Sequence, residues 1–265
     1  MLVKGKKKFF GPSSQIMAAA SLGPAAAFLA RTSGLDGTHT TAYTNLINGL
    51  VSDGVWGKLD VLHIYATQDS TTALLNLVST NYNGVANGSP TFTVDRGFTG
   101  GVSGGGTVYI NTTFNPSSAS SPQYTLNSGH LSGWVLNDIQ ETRNFIGATA
   151  AGIFAKFTDN NAYFTINAAT NINVAVASAI GHYIANRSAS NAVQGYKNGS
   201  SIISGSVAST GVPNLQYFVL SDNNGAPLGA SNQVAMASIG ASLSATDVTN
   251  FYNRLRTYMT AVGVP

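Results

Sequence analysis

Gly195-Tyr196-Lys197-Asn198-Gly199-Ser200-Ser201-Ile202-Ile203 decides the fold class. Asn198-Gly199 separates two strand-like runs, and a two-residue type I′ hairpin turn needs positive φ at both central positions. Asn and Gly tolerate that conformation best. The same pattern repeats outward from this hairpin. Segments 59–67, 73–79, 90–94, 107–113, 130–137, 147–158, 162–167, 181–187, 192–197, 201–205, 215–221 and 232–239 are short and rich in β-branched and aromatic residues. Asn83-Gly84, Asn87-Gly88, Asn160-Asn161 and Asn223-Asn224-Gly225 punctuate them. About a dozen short strands with turn signals between them predict a sandwich or barrel, not βαβ units.

Two segments carry the other period. Tyr43, Leu46, Ile47, Leu50 and Val51 form one apolar stripe over 38–54, and Asp53-Gly54 supplies a stop. At the far end, Ser244-x-x-Asp247 resembles a capping box with a shortened acid. Val248, Phe251, Leu255, Met259 and Val262 then form a second stripe, and Gly263 stands where a C-cap belongs.

Charge is scarce where chemistry would need it. The chain has 265 residues, no cysteine and a net charge of +3, and Glu141 is its only glutamate. Lys4, Lys6, Lys7 and Lys8 carry the excess; beyond them nine basic residues face ten acidic ones. The body is therefore nearly neutral and offers no basic face for nucleic acid. Absent cysteine excludes disulfides, zinc–thiolate sites and thiol catalysis. His39, His63, His130 and His182 show no metal-ligand spacing. No run is long and apolar enough to span a membrane. These features predict no cofactor and no metal.

The first thirty residues read as a basic and apolar arm. Gly11-Pro12 and Gly23-Pro24 interrupt what would otherwise resemble a secretory signal. An uncleaved arm that docks on a neighbour through Lys4, Lys6, Lys7, Lys8, Phe9, Phe10 and Ile16 is the favoured reading. The expected organisation is an arm over 1–30 and a folded body over 31–265.

Gly101-Val102-Ser103-Gly104-Gly105 fits the serine-hydrolase pattern, yet a strand-like segment follows it where the nucleophile elbow demands a helix. Asp138 and Glu141 are the one close carboxylate pair outside turns, and glycan cleavage would rest on them. Four Asn-x-Ser/Thr matches are what chance gives in so Asn- and Ser-rich a chain. Trp56, Trp134, Tyr163, Tyr183 and Tyr196 are the candidate glycan contacts, provided they are exposed.

The hairpin at 195–199 and the segment 237–248 with Phe251-Tyr252 resemble the concanavalin-like, laminin-G-like jelly rolls. Phe28–Leu35, Asn48–Trp56, Val94–Gly100 and Arg254–Met259 are similar to bacteriophage and prophage virion proteins of the tail, fibre or head-decoration kind. The resemblance implies an all-β, concanavalin-like jelly-roll sandwich with one helix before it and one after. It further implies a non-enzymatic virion component, oligomeric and partnered by capsid, neck or tail proteins. A carbohydrate-binding adhesin that contacts host glycans is the alternative, and a glycan-cleaving enzyme the third reading.

Overall fold

The computed structural model describes residues 22–265; Lys4, Lys6, Lys7, Lys8, Phe9, Phe10 and Ile16 lie outside the described residues. The order begins with α1 (Pro24–Leu29), α2 (Gly37–Ser52), a 3-10 turn at Trp56–Lys58, β1 (Leu59–Ile64) and the short α3 (Ser70–Ala73). Then come β2 (Val85–Asn87), β3 (Thr91–Thr93), β4 (Gly97–Thr99), β5 (Tyr109–Asn111), β6 (Gly129–Val135), β7 (Ile146–Ala148), β8 (Ala151–Phe154) and β9 (Asn161–Thr165). The chain continues through β10 (Ile172–Ala175), β11 (Gly181–Ala189), β12 (Ala192–Lys197), β13 (Ser200–Ser206), β14 (Phe218–Val219), β15 (Ser221–Asn223), β16 (Pro227–Gly229) and β17 (Gln233–Gly240). Helix α4 (Ala245–Ala261) closes it.

The strands form two large antiparallel sheets, and β15 and β16 pair apart from them as a two-stranded ribbon. The first runs β13-β12-β11-β6-β17-β4-β3, with β1 also paired to β17; the second runs β10-β9-β8-β7-β14-β5-β2. Asn198 and Gly199 sit at φ 49° and 79° and join β12 to β13, the turn that the sequence demands. A Cβ on Gly199 would also lie 2.9 Å from Tyr252 Cδ1, so the turn is fixed by packing as well as by φ. The architecture is a jelly-roll β-sandwich.

Period-two alternation divides the first sheet between two cores. Val61, Leu131, Tyr183, Ala185, Ala237 and Ile239 meet the second sheet. Leu62, Ile64, Trp134, Ile184, Tyr196 and Met236 lie under the stripes of α2 and α4, which contribute Tyr43, Leu46, Ile47, Leu50, Phe251, Leu255 and Met259. The result is three layers, helices on sheet on sheet. Strand β6 is buried at every position, as expected of a strand covered on both faces. Both long helices are capped as their sequences allow. Asp36 accepts from the His39 amide, and Ser244 and Asp247 form the complete capping box.

Three expectations change. Segment 73–79 is not a strand: Asp69 caps α3, and buried Asn76 replaces a ladder by accepting from Leu62 N and donating to the Asp60 and Asn81 carbonyls. Segment 147–158 breaks into β7 and β8 at Ala150, which takes φ 65°. The body also begins earlier than residue 31. Phe28 is 1% exposed and packs 4.8 Å from the Tyr43 ring, while Arg31 donates to the carbonyls of Asn76, Leu77 and Ser79. Helix α1 therefore belongs to the packed body, not to an arm. No helix among the described residues is long and apolar enough to cross a membrane.

Candidate glycan-binding face

The five aromatic candidates separate cleanly. Trp134, Tyr183 and Tyr196 are buried at 2%, 0% and 3% exposure, so these three cannot meet a sugar. Tyr183 fills the core between the sheets, and the other two lie beneath the helical layer. Trp134 stacks against His182 and Tyr252 there. The physical reason is the second cover: where helices roof the first sheet, as over β6, a strand has no wet face for an aromatic residue. Trp56 is half-buried beside α1, in a small cavity with Leu22, Pro24, Phe28 and Leu77.

Tyr163 has the outward position. On β8 and β9, Ile153, Ala162 and Phe164 face the core, which turns Phe154 and Tyr163 to the outer face of the second sheet. The two are direct cross-strand partners. Phe157 joins them from the connecting turn, where its amide donates to the Asn161 carbonyl and Asn160 takes φ 65°. The three half-buried rings meet edge to face, with centroids 5.4, 5.9 and 5.6 Å apart. With Asn171 they line a shallow cavity of about 180 Å³.

A polar rim borders the rings. Asp159 Oδ2 accepts from Tyr163 Oη at 2.6 Å and from Asn161 Nδ2 at 2.9 Å, and its Oδ1 accepts from the Asn161 amide at 3.0 Å. The Tyr163 hydroxyl and the Asn161 amide hold the Asp159 carboxyl below its usual range, and the same carboxylate raises the Tyr163 phenol. Rigid rings beside oriented acceptors and amides can hold a molecule with one apolar face and a hydroxylated edge. Sequence reading found Tyr163 but missed Phe154, Phe157 and Asp159. The signal was present, since the Asn160-Asn161 turn folds 154–159 back onto 163.

The other candidates do not converge on this face. Exposed Asp138 accepts from the Ala179 amide and from Lys156, 3.4 Å away. Glu141 is buried, and its Oε1 accepts from the amide and hydroxyl of Ser231. Each carboxylate ties down a different loop. Ser103 meets the Thr142 hydroxyl at 2.9 Å in a loop that leads into strand β5. His39 is clamped between Asp36 and Asp95, each 2.8 Å away; burial alone would lower its pKa, but the bonds to Asp95 and Asp36 outweigh that and hold it up. Among the described residues, no three His, Cys, Asp or Glu side chains are grouped to hold a metal ion.

No family model matches the chain, and no curated protein matches it in sequence. Solved structures do match in shape. Domain 4 of AbnA, an extracellular GH43 arabinanase from Geobacillus stearothermophilus solved with arabinotriose, has a TM-score of 0.50 at 18% identity. The match covers 73% of this chain and 98% of that domain. Trypanosoma rangeli sialidase in complex with sialic acid gives 0.55 at 12% identity, over 74% of this chain and 33% of the enzyme. A botulinum neurotoxin type C structure, whose cell entry depends on two ganglioside molecules, gives 0.55 at 12%, over 77% of this chain and 53% of the toxin chain. The chain thus spans about a third of the sialidase and half of the toxin chain. At these identities the likeness shows the fold alone, a jelly-roll β-sandwich.

Proposed function

We propose that this chain is a carbohydrate-binding module that holds glycans on the outer face of its second sheet and does not cleave them. The observation that carries this is the half-exposed triad of Phe154, Phe157 and Tyr163 with Asp159 at its rim. An aromatic cluster left facing water in an otherwise small-polar surface marks a contact site. A pyranose or furanose can lay its C–H face on such rings while its hydroxyls meet Asp159, Asn161 and Asn171. The non-catalytic part of the reading rests on Asp138 and Glu141, which are each engaged by backbone amides of separate loops. The glycans named for the similar structures, neutral arabinotriose and acidic sialic acid and gangliosides, support carbohydrate as the ligand class and do not fix its charge.

A glycan array followed by calorimetry on the best hit tests this. Tyr163→Ala and Phe157→Ala should each weaken binding roughly tenfold, as expected for the loss of one stacked ring, with little change in the unfolding midpoint. Trp56→Ala should leave affinity unchanged. Unaltered binding in both triad variants would contradict the site.

A place in a virion, with this module displayed outward, is the finer reading. Its support is the resemblance of Phe28–Leu35, Val94–Gly100 and Arg254–Met259 to phage proteins, together with the four-lysine leader. Because α1 packs on the body, the deletion that tests the leader is 2–21, not 2–30. The truncated protein should fold and be missing from purified particles; normal incorporation would show that the leader is not the anchor.

A further inference from the structure

We infer that the sugar held on this face is uncharged, and that Asp159 sets the preference by repelling carboxylated and sulfated glycans. This rests on the glycan-binding reading above and narrows it. The charge inventory is short. Among the described residues no basic side chain lines the cavity, which is bounded by Phe154, Phe157, Tyr163 and Asn171. Outward positions of β8, β9 and β10 beside the triad carry Gly152, Asn161, Thr165, Asn173 and Ala175.

Lys156 is the nearest cation in sequence, between Phe154 and Phe157, but its ammonium is engaged by other partners. Its ammonium donates to the Ala177 carbonyl at 3.1 Å and meets Asp138 at 3.4 Å, with the side chain 14% exposed. What remains at the rim is the Asp159 carboxylate, fixed in place by three hydrogen bonds from Tyr163 and Asn161. Those bonds stabilise its ionised form, so it presents a full negative charge at neutral pH. A carboxylate accepts hydrogen bonds and donates none, so it suits sugar hydroxyls and opposes a sugar carboxylate. The repulsion acts within a few ångströms at a rim exposed to salt, which makes it strongest at low ionic strength.

The test compares matched pairs: each neutral oligosaccharide on an array against its sialylated or uronic-acid-terminated counterpart, at low and high salt. Neutral members should bind about tenfold more tightly at low salt, with the gap closing as salt rises. Asp159→Asn keeps an acceptor for Tyr163 and should close the gap at low salt while neutral ligands still bind. Acidic members that bind as well as neutral ones overturn the inference and leave the glycan site standing. A gap unchanged in Asp159→Asn overturns the role of Asp159. Binding to neither member of any pair removes the glycan site, and this inference with it.

Discussion

Arg187→Met is expected to lower stability by about 1.5–3 kcal/mol, the worth of buried hydrogen bonds made by a charged donor. Arg187 is fully buried in β11 and finds carbonyls, not a carboxylate. Its Nε donates to Ile166 O at 2.8 Å, and one terminal nitrogen donates to Ala189, Ser190 and Val207 at 3.2, 3.0 and 2.9 Å. The guanidinium thereby joins the ends of β9, β11 and β13. Methionine fills much of the same volume but withdraws those donors, and Ser190 O keeps only the Ser209 amide. Lysine at the same position keeps the charge but has one nitrogen instead of a fork, so Arg187→Lys should fall between the two. Urea unfolding followed by fluorescence measures all three proteins. A midpoint for Arg187→Met within experimental error of the wild type would show that water replaces the guanidinium without loss.

Acid should destabilise the fold well before the carboxylates titrate. His63, His130 and His182 are fully buried, and burial lowers them to about 4, about 4 and about 3. In the unfolded chain the same groups titrate near 6.5. The unfolded state therefore binds more protons below that value, so the stability these residues confer is present above pH 6.5. It drains away as pH falls toward 4. Each histidine accounts for on the order of 3 kcal/mol across that window at most.

Two of the three form one network beneath α4. His130 bonds the Ala241 carbonyl and Ser238, Ser238 bonds Ser132, and Ser132 bonds His182 Nε2. His182 Nδ1 has no partner among the described residues. Asp247 favours protonation of His130 and Lys58 opposes it, and the two form an ion pair at 2.5 Å. His39 runs the opposite way: its raised pKa gives stability present below 6.5 and lost as pH rises, a smaller effect because burial opposes the bonds to Asp95 and Asp36. Urea midpoints at pH 7, 5.5 and 4.5 should fall steeply. His182→Phe keeps a ring against Trp134 and Tyr252 and should remove about one proton from the slope. A flat profile from pH 7 to 4.5 would contradict the burial of these imidazoles.

The local chemistry of the chain was legible, and its layering was not. Asn198-Gly199 and the Ser244–Asp247 box have only one low-energy reading each, and both form as read. The apolar stripes at 43–51 and 248–262 correctly announced two helices. What single-strand periodicity could not reveal is that those helices roof the first sheet. Trp134 and Tyr196 alternate with core residues and so look solvent-facing until α4 is laid over them. Strands of three residues such as β2, β4 and β16 leave too short a pattern to separate from loops. The binding face was half visible: Tyr163 stands on a recognisable strand. Phe157 and Asp159 sit in a turn whose geometry, set by Asn160 at positive φ, brings them to it.

Backbone resonance mapping with isotope-labelled protein and the best neutral glycan locates the site most directly. Shifts should concentrate at Phe154, Phe157, Asp159, Asn161, Tyr163 and Asn171, and Tyr163→Ala should shrink them severalfold at a ligand concentration below the wild-type Kd. Shifts gathered instead around Trp56, or on the helical face of the first sheet, would contradict a glycan site on the outer face of the second.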